Sequence, residues 1–342
     1  MALNELAEKH DWQVTLLVLN DNSSRDTSNT YYSGERVDYR SFQRRKGQFA
    51  IAALRLSFGA GVIIIGHVNF VPLSLGMKAL RSRAKIWMIA YGLEVWAKVS
   101  LLRLMGVRRL NRIVSISEST KTKMISKNDL SPKQFDILYP PLSPLYMRGI
   151  ETKTRAKLSL PAGKMVLSVA RLEANEDKGI DRIIESMPAV VTAVPDSFYV
   201  VVGDGSDRAR LERVVASRNM GGKVLFTGRV SDEDLASYYA ECDLFVLASP
   251  QEGFGIVFLE AMYHSKPCIG QRAGAIPEIV RHHETGLLFD AADPQGLAEA
   301  LVSLLQNDAL CKSMGIAGRT RLEREFSFER FKQRLEKLVL SD

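Results

Sequence analysis

An α/β fold with parallel sheets in two domains is what this sequence predicts, on three observations. Short apolar, β-branched runs alternate with helical stretches along the whole chain, and such runs belong to parallel sheets covered on both faces. Three prolines within Leu138-Tyr139-Pro140-Pro141-Leu142-Ser143-Pro144 stop any element and divide the chain. The length of 342 residues fits about two domains of roughly 100–200 residues.

The elements follow in order. Asn4–His10 reads as a helix and Val14–Leu19 as the strand after it. A βαβ domain opens with a strand and a tight turn before its first helix, so this chain starts in mid-unit or begins its fold differently. Leu56–Met77 holds no Asp, Glu, Lys or Arg, about the length of a membrane span. It also holds His67, Asn69, Pro72 and four glycines. A buried strand at Val62–Ile65, a turn and an apolar helix start explain it better. Strands at Ile86–Ala90 and Arg112–Ile116 follow. Beyond a linker near 140–160, strands are expected at Met165–Val169, Phe198–Val202, Val224–Phe226, Leu244–Leu247, Pro267–Gly270 and Gly286–Phe289. Helices are expected at Gly179–Val194, Asp207–Arg218, Asp232–Glu241, Gly255–His264, Ile276–His282, Pro294–Asn307 and Phe328–Leu340. The pattern is that of two Rossmann-like domains.

Composition removes several classes. With 46% apolar and 25% charged residues, a collagen-like or disordered chain is excluded. Cys242, Cys268 and Cys311 are odd in number and widely spaced, which excludes a disulfide scaffold and a cysteine zinc site and fits a reducing compartment. The start, MALNELAEKHD, has acidic residues and no long apolar stretch, unlike a signal peptide.

Charge is uneven. Residues 1–150 carry a net +11 and residues 151–342 a net −4; between 39 and 112 there are 14 basic residues and one acid, Glu94. Such a face attracts polyanions. Basic and apolar residues interleave at Met77-Lys78-Ala79-Leu80-Arg81 and from Val99 to Arg103, a pattern suited to a membrane surface. No zinc finger or RNA-binding aromatic motif is present, so no nucleic acid is expected.

The strongest chemical signal is Gln251-Glu252-Gly253-Phe254-Gly255-Ile256, running on to Glu260 and directly following the strand Leu244–Leu247. Its glycines let the backbone turn and expose amides at a helix start, suited to a phosphate or sugar hydroxyl. Glu252 lies in the loop at a strand's carboxyl end, where open α/β sheets bind ligands. A cap-like loop acid and a solvated helix acid would be the bland alternative. Ser168-Val169-Ala170-Arg171-Leu172 and Asp177-Lys178-Gly179 place an Arg and a Lys at a strand end and a helix start. Together they suit one diphosphate, Arg as a planar fork and Lys as a point charge; two surface cations are the commoner outcome. Gly203-Asp204-Gly205 ends another strand but lacks a third glycine. Gly228-Arg229-Val230 marks a further strand-end turn, and Gly274 to Glu278 reads as a connector.

Taken in order, these stations resemble the retaining nucleotide-sugar glycosyltransferases of family four, which have the GT-B fold. The resemblance is strong over about 140–330. It implies a C-terminal nucleotide-sugar-binding domain at 146–327. It implies an N-terminal acceptor domain at 1–145, completed by the helix 328–342, the two facing across a cleft and closing about the linker. It implies that Arg171 and Lys178 hold the donor diphosphate and that Glu252 contacts the donor sugar. Glu260 would take the ribose, Phe254, Gly255 and Ile256 would offer amides, and Gly203 and the Arg229–Val230 turn would complete the donor site. Gly66-His67-Val68-Asn69 resembles the first acceptor-side loop, and Tyr91-Gly92-Leu93-Glu94 the segment where relatives place His-Gly-x-Glu. Tyr91 therefore stands where the family has His, with His67 a nearby alternative. Ser115, Ser117 and Ser119 resemble the last segment of the N-terminal domain. The family's first strand and Gly-rich loop have no counterpart in this sequence.

The function expected is transfer of a hexose, mannose or glucose, from a GDP- or UDP-sugar to a glycan or polyprenyl-diphosphate-linked acceptor in polysaccharide biosynthesis. No cofactor or metal is expected: Asp232 and Asp234 form a D-x-D string at a helix start, without the context of a metal motif. A cytoplasmic location, peripheral on the inner face of the plasma membrane, fits these readings. Rival readings are a non-catalytic nucleotide-binding remnant, a nucleotide-sugar epimerase and a basic membrane adaptor. Release of free nucleotide only in the presence of acceptor separates transfer from the epimerase; the remnant would bind nucleotide without reacting, and the adaptor would have no nucleotide site.

Overall fold

The computed structural model describes residues 1–21, 36–80, 83–146, 152–293 and 295–341. Arg81, part of the linker (147–151) and Pro294 lie outside the described residues. The chain divides into two compact units. Met1–Ile116, Thr120–Leu138 and Phe328–Asp342 form the first; Ser117–Ser119 and Tyr139–Ser327 form the second.

In the first unit, α1 (Ala2–His10) leads to β1 (Val14–Val18), β2 (Val37–Ser41) and α2 (Lys46–Leu56). Then come β3 (Val62–Ile65), α3 (Leu73–Ala79), β4 (Lys85–Ala90), α4 (Leu93–Trp96) and α5 (Leu101–Val107). β5 (Arg112–Ser115), α6 (Glu118–Asn128) and β6 (Phe135–Ile137) complete the run. β1 and β2 pair in parallel, and β3-β4-β5-β6 form a second parallel sheet. Strand side chains alternate between faces. Ile86 and Met88 accordingly enter one cluster with Val71, Val107 and Met124, while Trp87 enters another with Leu6, Val114 and Leu335. Both faces are covered, and this is why β4 reads as a continuous apolar run. The uncharged stretch 56–77 is broken into β3, a short 3-10 turn and the start of α3. Among the described residues no helix is long and apolar enough to cross a membrane.

The second unit runs β7 (Met165–Val169), α7 (Ile180–Ala193), β8 (Phe198–Val202), α8 (Arg208–Ser217), β9 (Val224–Gly228) and α9 (Asp232–Glu241). It continues β10 (Leu244–Leu247), α10 (Ile256–Tyr263), β11 (Cys268–Gln271), α11 (Ile276–Ile279), β12 (Gly286–Phe289), α12 (Gly296–Leu305) and α13 (Asp308–Glu325). Its six strands are all parallel, in the order β12-β11-β10-β7-β8-β9. That order reverses between β7 and β10, which creates the switch-point crevice of a doubly wound sheet. The sheet is dry: Leu167, Tyr199, Val200 and Phe245 have no exposed surface. The buried Tyr199 hydroxyl donates to Ser168 Oγ at 2.7 Å, and Ser168 donates to the Val246 carbonyl, so neither polar group is orphaned.

The last helix, α14 (Phe328–Leu340), counts with the first unit. Its apolar stripe of Phe328, Phe331, Leu335, Leu338 and Val339 packs into the cluster of Leu6 and Trp87, and Lys9 of α1 donates to Glu336 at 2.7 Å.

Three local expectations need correcting. The helix expected at Ile276–His282 ends at Ile279, because Val280 is extended and His282 bridges to Gly286. Gly179 and Gly255 do not belong to their helix bodies but are the left-handed N-caps of α7 and α10, at φ 68° and 101°. Ser117 and Ser119 join the second unit rather than the first, for the contacts given below, while Ser115 ends β5 in the first.

Candidate active site

Because every strand of the second unit is parallel, all carboxyl ends lie on one edge of the sheet. The sequence motifs are the loops along that edge. Arg171 follows β7, Gly203 follows β8, Arg229 follows β9, Glu252 follows β10 and Gly274 follows β11. β7 and β10 are neighbours, so the Arg171–Gly179 and Ala248–Gly255 loops flank the switch point.

These two loops are stitched together. Ser249 Oγ donates to the Asp177 carbonyl at 3.1 Å, and Arg182 donates to the Ala248 carbonyl at 3.2 Å. Lys178 Nζ lies 3.3 Å from Glu252 Oε2, across the crevice. Glu176 is a residue that sequence reading passed over. Its carboxylate pairs with Arg171 at 2.8 Å and with Lys178 at 3.7 Å, so one acid joins the two cations. The Arg171 side chain is 74% exposed, whereas Lys178 and Glu252 are largely covered at 20% and 16%. Arg171, Asn175, Lys178, Gly179, Asp181 and Arg210 line a depression of about 290 Å³, near the lower end for small-molecule sites. Among the described residues, no three His, Cys, Asp or Glu side chains are grouped as a metal would need.

The glycines of the motifs act through close backbone approach. Gly203 has φ 131°, and a Cβ there would lie 1.9 Å from the Ala170 carbonyl oxygen. The Gly203-Asp204-Gly205 turn therefore lies flush against the Arg171 loop, with Leu172 N–H donating to the Asp204 carbonyl at 3.1 Å and Asp207 N–H to the Leu172 carbonyl at 2.7 Å. Gly274, at φ 57°, supports Glu252 in the same way: a Cβ would meet Glu252 O at 2.7 Å and N at 2.9 Å. Ala275 N–H donates to that Glu252 carbonyl at 3.0 Å. Gly203 and Gly274 thus hold the two loops that carry the charged groups.

Glu260, on α10, has a different environment. It accepts a 2.8 Å hydrogen bond from the Tyr239 hydroxyl, and burial pushes its carboxyl above the usual range. Tyr239 stacks on His264 at 5.8 Å between ring centroids. Burial, with Lys266 and Arg319 nearby, lowers His264 to about 4. Phe254 is buried, stacked on Tyr139 at 5.8 Å and edge-on to Phe326 at 5.9 Å, which leaves its backbone for any ligand contact. Ile256 and Arg229 are exposed, and Val230 is half-buried. Asp232 and Asp234 open α9, where Asp234 N–H donates to the Ser231 cap at 3.2 Å and the Asp234 carboxylate pairs with Lys153.

The segment Ser117–Ser119 is fastened to the Glu252 region. Ser117 Oγ donates to the Gly253 carbonyl at 2.8 Å. The backbone N–H groups of Glu118 and Ser119 each donate to the Glu278 carboxylate at 2.8 Å. The buried Arg321 holds that acid's own backbone, donating to the Glu278 carbonyl at 2.8 Å and the Ile279 carbonyl at 2.9 Å. Glu278, read from sequence as part of a connector, is a hub for three segments; only its place in an ordered motif signalled this.

The two acceptor-side candidates lie in the first unit. His67 Nδ1 accepts the Asn69 N–H at 3.1 Å, capping a 3-10 turn. Tyr91 is 47% exposed. Its N–H and that of Gly92 donate to Glu94 Oε1 at 2.7 and 3.2 Å. Burial and the Glu94 charge raise the Tyr91 phenol, which stays protonated near neutrality.

Residues 150–321, just over half of the chain, match the family described as "Glycosyl transferases group 1". The N-acetyl-alpha-D-glucosaminyl L-malate synthase of Bacillus anthracis is 34% identical over 153 residues, 45% of this chain and 39% of that one. A GDP-mannose-dependent monoacylated alpha-(1-6)-phosphatidylinositol monomannoside mannosyltransferase of Corynebacterium glutamicum is also 34% identical, over 172 residues, 48% of this chain and 44% of that one. The matched segment thus spans less than half the length of these curated relatives. Among solved structures, Anabaena Alr3699/HepE in complex with UDP superposes with a TM-score of 0.80 at 16% identity, covering 100% of this chain and 95% of the other. Sucrose-phosphate synthase from Thermosynechococcus elongatus gives 0.77 at 21% identity, covering 99% and 91%. The fold is the GT-B fold expected from the motifs, and the chain belongs to the group 1 glycosyl transferases.

Proposed function

We propose that this protein transfers a hexose from a nucleotide diphosphate sugar to an acceptor hydroxyl, with retention at the anomeric carbon. The observation that carries the reading is the Lys178–Glu252 contact at the switch point, with Arg171 joined to it through Glu176. Arg171 and Lys178 neutralise the diphosphate, as preorganised cations do where charge develops on a leaving group. Glu252 receives the donor sugar, and the amides about Phe254, Gly255 and Ile256 take its hydroxyls or phosphate. Gly203 and the Arg229–Val230 turn border the nucleoside, with Glu260 on the ribose. In the step itself the bond from the sugar carbon to the β-phosphate oxygen breaks. The acceptor oxygen bonds to the same face of that carbon, and its proton passes to the departing phosphate oxygen. Side chains supply position and charge, without a covalent intermediate and without a metal.

GDP-mannose is the first donor to try, on the name of the Corynebacterium relative. UDP-glucose is the second, on the complex recorded for HepE. The acceptor is a glycan or a polyprenyl-diphosphate-linked sugar, taken by the basic first unit near His67 and Tyr91. Each donor is to be incubated with and without acceptor while free nucleotide is measured. Acceptor-dependent release, strongly reduced in Glu252→Ala and Arg171→Ala with the fold retained, is expected. Wild-type turnover in either variant sinks these assignments.

A further inference from the structure

In the first unit α5 is apolar on two sides. Leu104 packs against the core and Val107 is buried, yet Leu101, Leu102 and Met105 are 74%, 57% and 44% exposed. At 100° per residue these three share the solvent side of the helix. The same stripe continues past the helix end into Arg108 and Arg109, both exposed, and exposed Lys98 lies just before its start. The surroundings repeat the pattern. α3 packs on α5 and ends at the exposed Leu80; α2 packs on α3 and exposes Ile51 and Arg55. Eight of the twelve large apolar residues exposed among the described residues fall between 51 and 105. That stretch lies within the 39–112 segment of 14 basic residues and one acid. The carboxylate of that acid, Glu94, is engaged by the N–H groups of Tyr91 and Gly92. Exposed apolar side chains with exposed Lys98, Arg108 and Arg109 beside them, in a stretch of sequence with a single acid, match an anionic lipid face. Phosphate headgroups meet the Lys and Arg side chains, and the acyl boundary accepts Leu and Met.

We propose that the solvent side of α5 seats the first unit on an anionic lipid bilayer, with Leu101, Leu102 and Met105 entering below the headgroups and Lys98, Arg108 and Arg109 pairing with them. This assignment is independent of the sugar-transfer reading. The full chain is to be floated with vesicles of phosphatidylcholine and phosphatidylglycerol in equal parts, and with phosphatidylcholine alone. Binding to the mixed vesicles at physiological salt is expected, weakened at least tenfold on pure phosphatidylcholine and in the double variant Leu101→Glu, Leu102→Glu. Replacing Ile316, exposed on α13 of the second unit, by Glu should leave flotation unchanged; thermal unfolding checks that each variant is folded. A Leu102→Trp variant should shift its emission to the blue on mixed vesicles only. Absence of flotation at low salt, equal binding to both vesicle types, or full binding by the double variant overturns the proposal. So does a wild-type dimer that ignores vesicles and becomes monomeric in the double variant, since the occupant would then be a second copy.

Discussion

Replacing Gly274 by alanine tests whether Glu252 is held by backbone contact. The residue sits at φ 57°, where an L side chain costs about 1–2 kcal/mol. Its new Cβ would lie 2.7 Å from the Glu252 carbonyl oxygen, short of ordinary 3.4 Å contact by about 0.7 Å. That neighbour is main chain, fixed by the Ala275 N–H at 3.0 Å, so it has no rotamer into which to retreat. Overpacking of this kind costs about 1–3 kcal/mol. Together the two effects come to about 2–5 kcal/mol. In a unit of about 150–250 residues that lowers the melting temperature by about 4–20 °C. A displacement of this size shifts Glu252 relative to Lys178, now 3.3 Å distant, and misplacement near 1 Å costs up to about 10²-fold in rate. The control is Gly221→Ala, at a glycine with nothing within 4 Å of its would-be Cβ, expected to stay within about 0.5 kcal/mol of wild type. Scanning calorimetry and acceptor-dependent nucleotide release on the three proteins decide the matter. If Gly274→Ala melts and turns over like Gly221→Ala, the close approach does not position Glu252.

If Arg171 and Lys178 hold the diphosphate as proposed, Glu176, which pairs with both, competes with it for them. A charge near 4 Å is worth about 1 kcal/mol in water, and Arg171 is mostly exposed. Glu176→Gln should therefore tighten GDP or UDP binding about fivefold by calorimetry; weaker binding would make Glu176 a positioning group. Glu278→Ala removes the acceptor for two N–H groups and should cost about 2–3 kcal/mol, a fall of about 4–12 °C in melting temperature; an unchanged melt would show that Ser117–Ser119 is held by other contacts. His264 is lowered from 6.5 to about 4. The unfolded chain therefore takes its proton first as pH falls below 6.5, and stability is lost progressively down to about pH 4. The slope is at most about 1.4 kcal/mol per pH unit, and less for a group partly open to solvent. His264→Phe keeps a ring against Tyr239, so its melting temperature should fall less between pH 7 and 4.5 than that of wild type. Parallel curves would refute the assignment.

The strands were legible because a parallel sheet buried on both faces needs uninterrupted apolar residues, and Val62–Ile65, Phe198–Val202 and Leu244–Leu247 have them. β2 was not, since Val37-Asp38-Tyr39-Arg40-Ser41 alternates with charge and, among the described residues, pairs with β1 alone. α13 was missed because it buries few apolar side chains for its 18 residues. Around the site, the loops bearing Arg171, Lys178 and Glu252 could be placed from strand ends and glycines. Their electrostatics could not. That Glu176 bridges two cations, and that Glu278 binds N–H groups 160 and 159 residues away, depends on tertiary proximity that spacing does not encode. Glycine was read as freedom to turn, whereas Gly203 and Gly274 are required equally by what lies against them.

The docking of α14 on α1 bears on the order in which the molecule is made. Lys9 and Glu336 are 327 residues apart in sequence, so the cluster of Leu6, Trp87 and Leu335 closes only once synthesis has passed the whole second unit. That unit is nearly continuous, from Tyr139 to Ser327, and its contacts are all in hand before α14 emerges. Long-range closure is slow, and surface left open meanwhile invites aggregation. The half of the chain translated first is therefore the half completed last, with Trp87 awaiting its cover throughout elongation, and a ribosome stall shortly before Phe328 would release a finished second unit joined to an unsealed first.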